Sequence, residues 1–219
     1  MVEYRGWNGY QRMLGCVWNS AESGSEQIHF QEDKIMTAAA GKLRTVDLVY
    51  IAVFAVLMAI CSWISIPTAV PFTLQVFAVF LALAVLGGKR GTMAILVYIL
   101  LGMAGVPVFA GFSGGIHVIL GTTGGYIVGL LVAGLFYWLA ETLFGNKKWQ
   151  QLVYMLTGLV ICYAFGTVWF ILVYGRSAEP VGVMTALGWC VFPFIIPDLI
   201  KIGLAWTLAP RIRKAAQLQ

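Results

Sequence analysis

Apolar residues dominate six stretches of this chain, at about 48–66, 74–86, 92–106, 124–143, 152–174 and 187–209. Runs of this length and hydrophobicity predict membrane-spanning helices, and so an all-α integral membrane protein of six transmembrane helices. The second and third stretches are short, which points to a compact or broken hydrophobic unit rather than six equal rods.

The polar positions between the stretches set the topology. Lys42 and Arg44 precede the first, Lys89 and Arg90 separate the second from the third, Lys147 and Lys148 separate the fourth from the fifth, and Arg211, Arg213 and Lys214 follow the sixth. With six helices these clusters all fall on one side, while the opposite connections carry only Arg176 and Glu179. The positive-inside rule then predicts cytoplasmic N and C termini. It places the glycine-rich connection between helices 3 and 4 outside the cytoplasm.

Composition agrees with this reading and narrows the function classes. Of 219 residues, 60% are hydrophobic and 11% charged. Six spans with short connections use up that length, which excludes a separate catalytic domain of useful size. The net charge of +5 belongs to clusters flanking apolar segments, so it reads as a topology signal and not as a nucleic-acid surface.

The first residues differ from the rest. Residues 1–43 are expected to form a poorly ordered leader, mixing Trp7, Trp18, Glu22, Glu26 and Glu32 with glycine and serine and showing no sustained period. Met36 offers an alternative start, because 36–42 makes an ordinary short cytoplasmic lead; a regulatory extension is the rival reading. Residues 44–213 then form the membrane domain, and 214–219 a short cytoplasmic tail.

Two charges inside the last apolar stretch carry the strongest functional signal. Asp198 and Lys201 stand three apart on one helical face, and each costs about 2.5–3.5 kcal/mol at the centre of a membrane helix. Both therefore need a partner or a job. A ligand site and an internal ion pair are the two readings, and they can coexist. By contrast, Cys16, Cys61, Cys162 and Cys190 show no metal-ligand spacing and read as small hydrophobes. His29 lies in the leader and His117 stands alone, so neither a metal site nor an enzyme's catalytic constellation can be assembled, and no cofactor is expected.

Two connections are candidates for neighbours of that pair. Between helices 3 and 4, the stretch 106–126 combines Phe109, Phe112 and Tyr126 with a high density of glycine, and residues 109–115 read as a pocket lid. Gly121, Gly125 and Gly129, spaced by four, read instead as a smooth helix-packing face. The first connection brings Pro67, Pro71, Phe72, Thr73 and Gln75; it is either a solvent-facing turn or part of the site, with the Gln75 amide as a polar contact. On helix 1, Ala52, Ala55 and Ala59 form a flat strip for another helix, internal or foreign.

These residues also occur in a known order. Thr45-Val46-Asp47-Leu48, Pro71-Phe72-Thr73-Leu74-Gln75, Leu86-Gly87-Gly88-Lys89-Arg90-Gly91, Gly105-Val106-Pro107-Val108-Phe109-Ala110-Gly111, Thr123-Gly124-Gly125-Tyr126 and Pro197-Asp198-Leu199-Ile200-Lys201 follow one another as in BioY proteins, which the chain resembles from about residue 44 to 213. Thr122 departs from the proline often found before Thr-Gly-Gly-Tyr, which bears on loop stiffness.

The resemblance implies the biotin-specific substrate-binding component of an energy-coupling factor transporter, in the inner or plasma membrane of a prokaryote. It implies as partners biotin, a transmembrane coupling protein and two cytoplasmic ATPases, in keeping with the lack of a phosphate-binding loop motif here. The implied ligand set is Asp198, Lys201, Gln75, Thr73, Phe109, Phe112, Gly114, His117, Thr123, Gly124, Gly125 and Tyr126, with Ala52, Ala55 and Ala59 facing the coupling protein. Asp198 is expected to accept from a ureido N–H of biotin; Lys201 is left between neutralising Asp198, meeting the ureido carbonyl and meeting the carboxylate. The alternatives are the same architecture serving another small vitamin, and a self-sufficient secondary transporter in which Asp198 or Glu141 couples proton movement.

Overall fold

The computed structural model of the chain describes residues 44–66, 71–177 and 182–216. The expected leader over 1–43 with its Met36 start, Pro67, Glu179 and the end of the tail at 217–219 lie outside the described residues. The elements are helix α1 (Thr45–Trp63), strands β1 (Ser65–Ile66) and β2 (Phe72–Thr73), then α2 (Gln75–Leu86) and α3 (Gly88–Met103). A 3-10 turn (Ala110–Phe112), α4 (Ile116–Leu120), α5 (Gly124–Phe144), α6 (Lys148–Ser177), α7 (Val183–Cys190) and α8 (Phe192–Ala215) follow.

Among the described residues, four helices are long and apolar enough to cross a membrane: α1, α5, α6 and α8. The other two expected spans are α2 and α3, of 12 and 16 residues. Helix α2 explains its own shortness of pattern. It packs on α1, α3, α5 and α8, and Ala78 through Ala84 are all buried, so a segment hydrophobic on every side is enclosed by protein on every side. It passes directly into α3 at Gly87, whose φ of 81° is one that glycine adopts without strain.

The sixth stretch is broken where one helix was expected. Helix α7 ends at Val191 (φ −126°, ψ −57°), and α8 restarts with Pro193 near its first turn, where a missing N–H costs nothing. Helix α8 then runs to Ala215, beyond the expected end at 209.

One end of the helices is tied by polar contacts. Arg90 pairs with Asp47 at 3.2 Å, Arg213 Nε donates to the carbonyl of Val85 at 3.0 Å, and Trp206 Nε1 donates to the carbonyl of Lys148 at 2.8 Å. Glu141 accepts from the Gly88 amide at the start of α3 and from the Asn146 side chain. These contacts collect the basic residues of three expected cytoplasmic clusters at the end that holds the α2–α3 and α5–α6 turns. Glu141, weighed above as a proton-coupling group, serves here as an acceptor for that turn.

The α5–α6 contact is set by glycines. A Cβ at Gly125 would lie 2.2 Å from the Trp169 side chain, and one at Gly166 would lie 2.2 Å from the Tyr126 ring. Each helix thus makes room for an aromatic residue of the other. Gly125 and Gly129 act as the packing face expected of them, with Gly129 against Cys162.

Candidate functional site

At the opposite end, three connections and six helices enclose a cavity of about 250 Å³. Pro71, Thr73 and Gln75 come from the hairpin and the start of α2; Phe109, Ala110 and Ser113 from the α3–α4 loop; Thr123 and Tyr126 from the start of α5; Cys162 and Tyr163 from α6; Cys190 from α7; and Phe194, Asp198 and Lys201 from α8.

Local geometry explains how the α3–α4 loop turns Phe109 inward. Phe109 and Ser113 pair as an isolated bridge, with the Phe109 amide 2.9 Å from the Ser113 carbonyl, and Gly111 and Phe112 between them take positive φ (67° and 56°). The Phe109 ring lies over Gly102, where a Cβ would come within 2.0 Å of it, and packs edge-on to Tyr98 at 5.6 Å. The loop is pinned from outside by Trp63, whose Nε1 donates to the Pro107 carbonyl at 2.8 Å and whose ring stacks on Phe112 at 5.0 Å.

The polar pole of the cavity is built on α8. Asp198 is 2% exposed and Lys201 5%, and Lys201 Nζ lies 2.7 Å from Asp198 Oδ1. The second carboxylate oxygen accepts from the Tyr163 hydroxyl at 2.6 Å. Lys201 also donates to the Thr73 carbonyl at 2.7 Å and sits 4.0 Å above the Phe72 ring. Its charge is therefore matched by a carboxylate, a carbonyl and an aromatic face, as a buried ammonium requires. This places Lys201 as an internal ion pair and a tether between α8 and the hairpin. Gln75 is 7% exposed; its backbone amide donates to Thr73 Oγ1 at 3.3 Å, and its side-chain nitrogen has no partner among the described residues.

Of the candidate ligand residues, Thr73, Gln75, Phe109, Thr123, Tyr126, Asp198 and Lys201 meet in this cavity. Phe112, Gly114, His117, Gly124 and Gly125 do not line it. Phe112 is 64% exposed on the outer side of the loop, and His117 is exposed. Gly114 and Gly124 admit close backbone contact instead, since a Cβ would lie 2.3 Å from the Val106 carbonyl oxygen and 1.7 Å from that of Ile119. On α1, which packs on α2 and α3, Ala55 and Ala59 are buried, and of the expected strip Ala52 is exposed. Two of the three strip residues are therefore covered within this chain.

The sequence reading missed Tyr163, Cys162, Cys190 and Phe194 as cavity residues. A tyrosine hydroxyl in the middle of an apolar helix was the available signal, since such a group seeks a polar partner.

The model of the BioY family matches residues 34–218. Over 173 residues the chain is 41% identical to the biotin transporter BioY of Thermotoga maritima, covering 77% of this chain and 96% of that one. Its structure is similar to the crystal structure of the S-component for biotin from an ECF-type ABC transporter, with a TM-score of 0.68 and 26% identity, covering 77% of this chain and 90% of that one.

Proposed function

The chain belongs to the BioY family, and from that membership we infer that it is a multi-pass membrane protein that takes up biotin. The observation that carries the reading to particular residues is the cavity whose polar pole is the Asp198–Lys201–Tyr163 cluster and whose walls include Phe109, Tyr126 and Phe194. Biotin fits that division. Its ureido ring has N–H donors for a carboxylate, while its thioether ring and valeryl chain suit apolar walls.

In this reading α2 and α3 complete six membrane helices with α1, α5, α6 and the α7–α8 pair. Both termini face the cytoplasm, and the cavity opens outside, in line with the positive-inside rule and with the gathering of Arg90, Lys148 and Arg213 at the other end. The membrane is the inner or plasma membrane of a prokaryote. Asp198 accepts a ureido N–H, and Lys201 keeps that carboxylate charged and ordered. Residues 109–115 close over the ligand as a lid. The chain works as the biotin-capturing component beside a transmembrane coupling protein and two ATPase subunits, which supply the energy. Ala52 is the residue of the α1 strip left open for such a partner.

The test is binding of labelled biotin to the purified protein, beside Asp198→Asn. Submicromolar binding by wild type, weakened at least tenfold in Asp198→Asn, is expected. Absence of wild-type binding overturns the ligand, and equal binding by the variant overturns the role of Asp198. Uptake by cells with and without the ATPase subunits tests the division of labour.

A further inference from the structure

We propose that the trough between α6 and α8, at the end of the molecule opposite the cavity, is a binding site for one anionic phospholipid. Lys147 and Lys148 receive its phosphate, the Trp149–Trp206 pair sits at the level of its glycerol backbone, and an acyl chain lies along the two helices. The inference needs only that these helices span a membrane, and it is independent of what the cavity binds.

The positive charge at this end is left unanswered by the protein itself. The described residues hold three acidic side chains, and each is engaged elsewhere: Asp47 by Arg90, Glu141 by the Gly88 amide and the Asn146 side chain, and Asp198 by Lys201 and Tyr163. Lys147 and Lys148 are adjacent and exposed, and no carboxylate among the described residues pairs with either. One of the two is also held in place. Trp206 Nε1 donates to the Lys148 carbonyl at 2.8 Å, and Lys148 Nζ stands 4.6 Å from the centre of a Trp206 ring. An aromatic face orders the ammonium without supplying a counter-charge, and leaves it N–H donors for an anion.

The apolar half of the site has its own geometry. Helices α6 and α8 run antiparallel, joined beside the cavity by Tyr163 and Asp198 and at the other end by Trp149 and Trp206, whose rings are 5.4 Å apart. Between these contacts Val153 and Val160 follow Trp149 on one face of α6, while Leu199 and Gly203 precede Trp206 on one face of α8. Val153, Val160 and Leu199 are exposed, and a Cβ at Gly203 would meet nothing within 4 Å. From Trp149 to Val160 is about 16 Å of helix, close to the hydrocarbon depth of one leaflet. Trp149 is 71% exposed, which suits an indole at the headgroup level of a bilayer, where its ring meets chains and its N–H meets polar groups.

An occupant that meets both halves is an amphiphile with a negative head. A soluble anion leaves the trough bare, and a zwitterionic lipid leaves two lysines without a net counter-charge.

The experiment is native mass spectrometry of the detergent-purified full-length protein, titrated with phosphatidylglycerol and with phosphatidylcholine of the same acyl chains. Wild type is expected to hold phosphatidylglycerol about tenfold more tightly, the order of effect that two lysines beside an anionic headgroup supply. In Lys147→Gln with Lys148→Gln that preference is expected to fall to within about twofold. Arg211→Gln with Lys214→Gln removes the same charge from exposed positions at the same end, and is expected to keep most of the preference. Trp149→Ala is expected to weaken both lipids several-fold and leave the preference between them unchanged. Equal loss of preference in the two double variants overturns the site in favour of a diffuse basic surface, and no preference in wild type overturns it outright. Unchanged affinity in Trp149→Ala overturns the trough. Displacement of phosphatidylglycerol by an excess of soluble glycerol phosphate assigns the lysines to a soluble anion and overturns the lipid as occupant.

Discussion

The hydroxyl of Tyr163 on α6 lies 2.6 Å from Asp198 Oδ2 on α8, so the buried carboxylate is held on both oxygens by groups from two different helices. Hydrogen bonds to a charged partner contribute about 1.5–3 kcal/mol, and this one also fixes which lone pairs remain for a ligand. Tyr163→Phe is therefore expected to weaken biotin binding about tenfold with little loss of packed volume, as read by titration calorimetry. Unchanged affinity would show that Lys201 alone orients the carboxylate.

Lys201 makes the opposite kind of contribution. Removing it leaves Asp198 charged and buried, a change that costs about 3–5 kcal/mol in comparable pairs. Lys201→Met is expected to lower the thermal midpoint of the detergent-purified protein sharply, and adding Asp198→Asn to it should recover much of that loss. A double variant no more stable than Lys201→Met would mean that the tether to the Thr73 carbonyl matters more than the ion pair.

How much of this was readable from the chain depends on what each residue type announces. Asp198 and Lys201 were legible because a charge in an apolar helix has few explanations. Tyr163 was not, because a tyrosine is as much a core residue as a polar one, and only the fold brings it opposite Asp198. The four long helices follow from hydrophobic length. The enclosure of α2 does not, since a 12-residue apolar run reads the same whether protein or lipid surrounds it. Phe109 and Phe112 look equivalent in sequence; positive φ angles at Gly111 and at Phe112 itself turn the chain so that one ring lies inward and the other out. Similarly, glycines were visible as a cluster, yet whether each faces a ligand or another backbone depends on contacts far along the chain, as Gly125 against Trp169 shows.

Gly102 sets the depth of Phe109, because no side chain separates α3 from the ring. An alanine Cβ there would sit 2.0 Å from the ring, so Gly102→Ala must move Phe109 or the loop that carries it. Overpacking of this kind typically costs 1–3 kcal/mol. Biotin affinity is expected to fall about tenfold, and Phe109→Leu placed in the Gly102→Ala background should restore part of it. A Gly102→Ala protein that binds as wild type would show that the Phe109 ring is dispensable to the cavity wall.

Trp63 is the outer hold on the same loop, through a hydrogen bond to Pro107 and the stack on Phe112, and neither residue lines the cavity. If residues 109–115 act as a lid, loosening that hold changes how often the cavity opens more than what it offers the ligand once closed. Trp63→Ala and Phe112→Ala should then raise the dissociation rate of biotin several-fold and the association rate with it, so that the equilibrium constant moves less than either rate. Stopped-flow measurement of both rates decides the point. A faster dissociation with an unchanged association rate would instead mean that the two aromatics stabilise the bound state directly, since a lid that merely opens more often must let ligand in as readily as it lets it out.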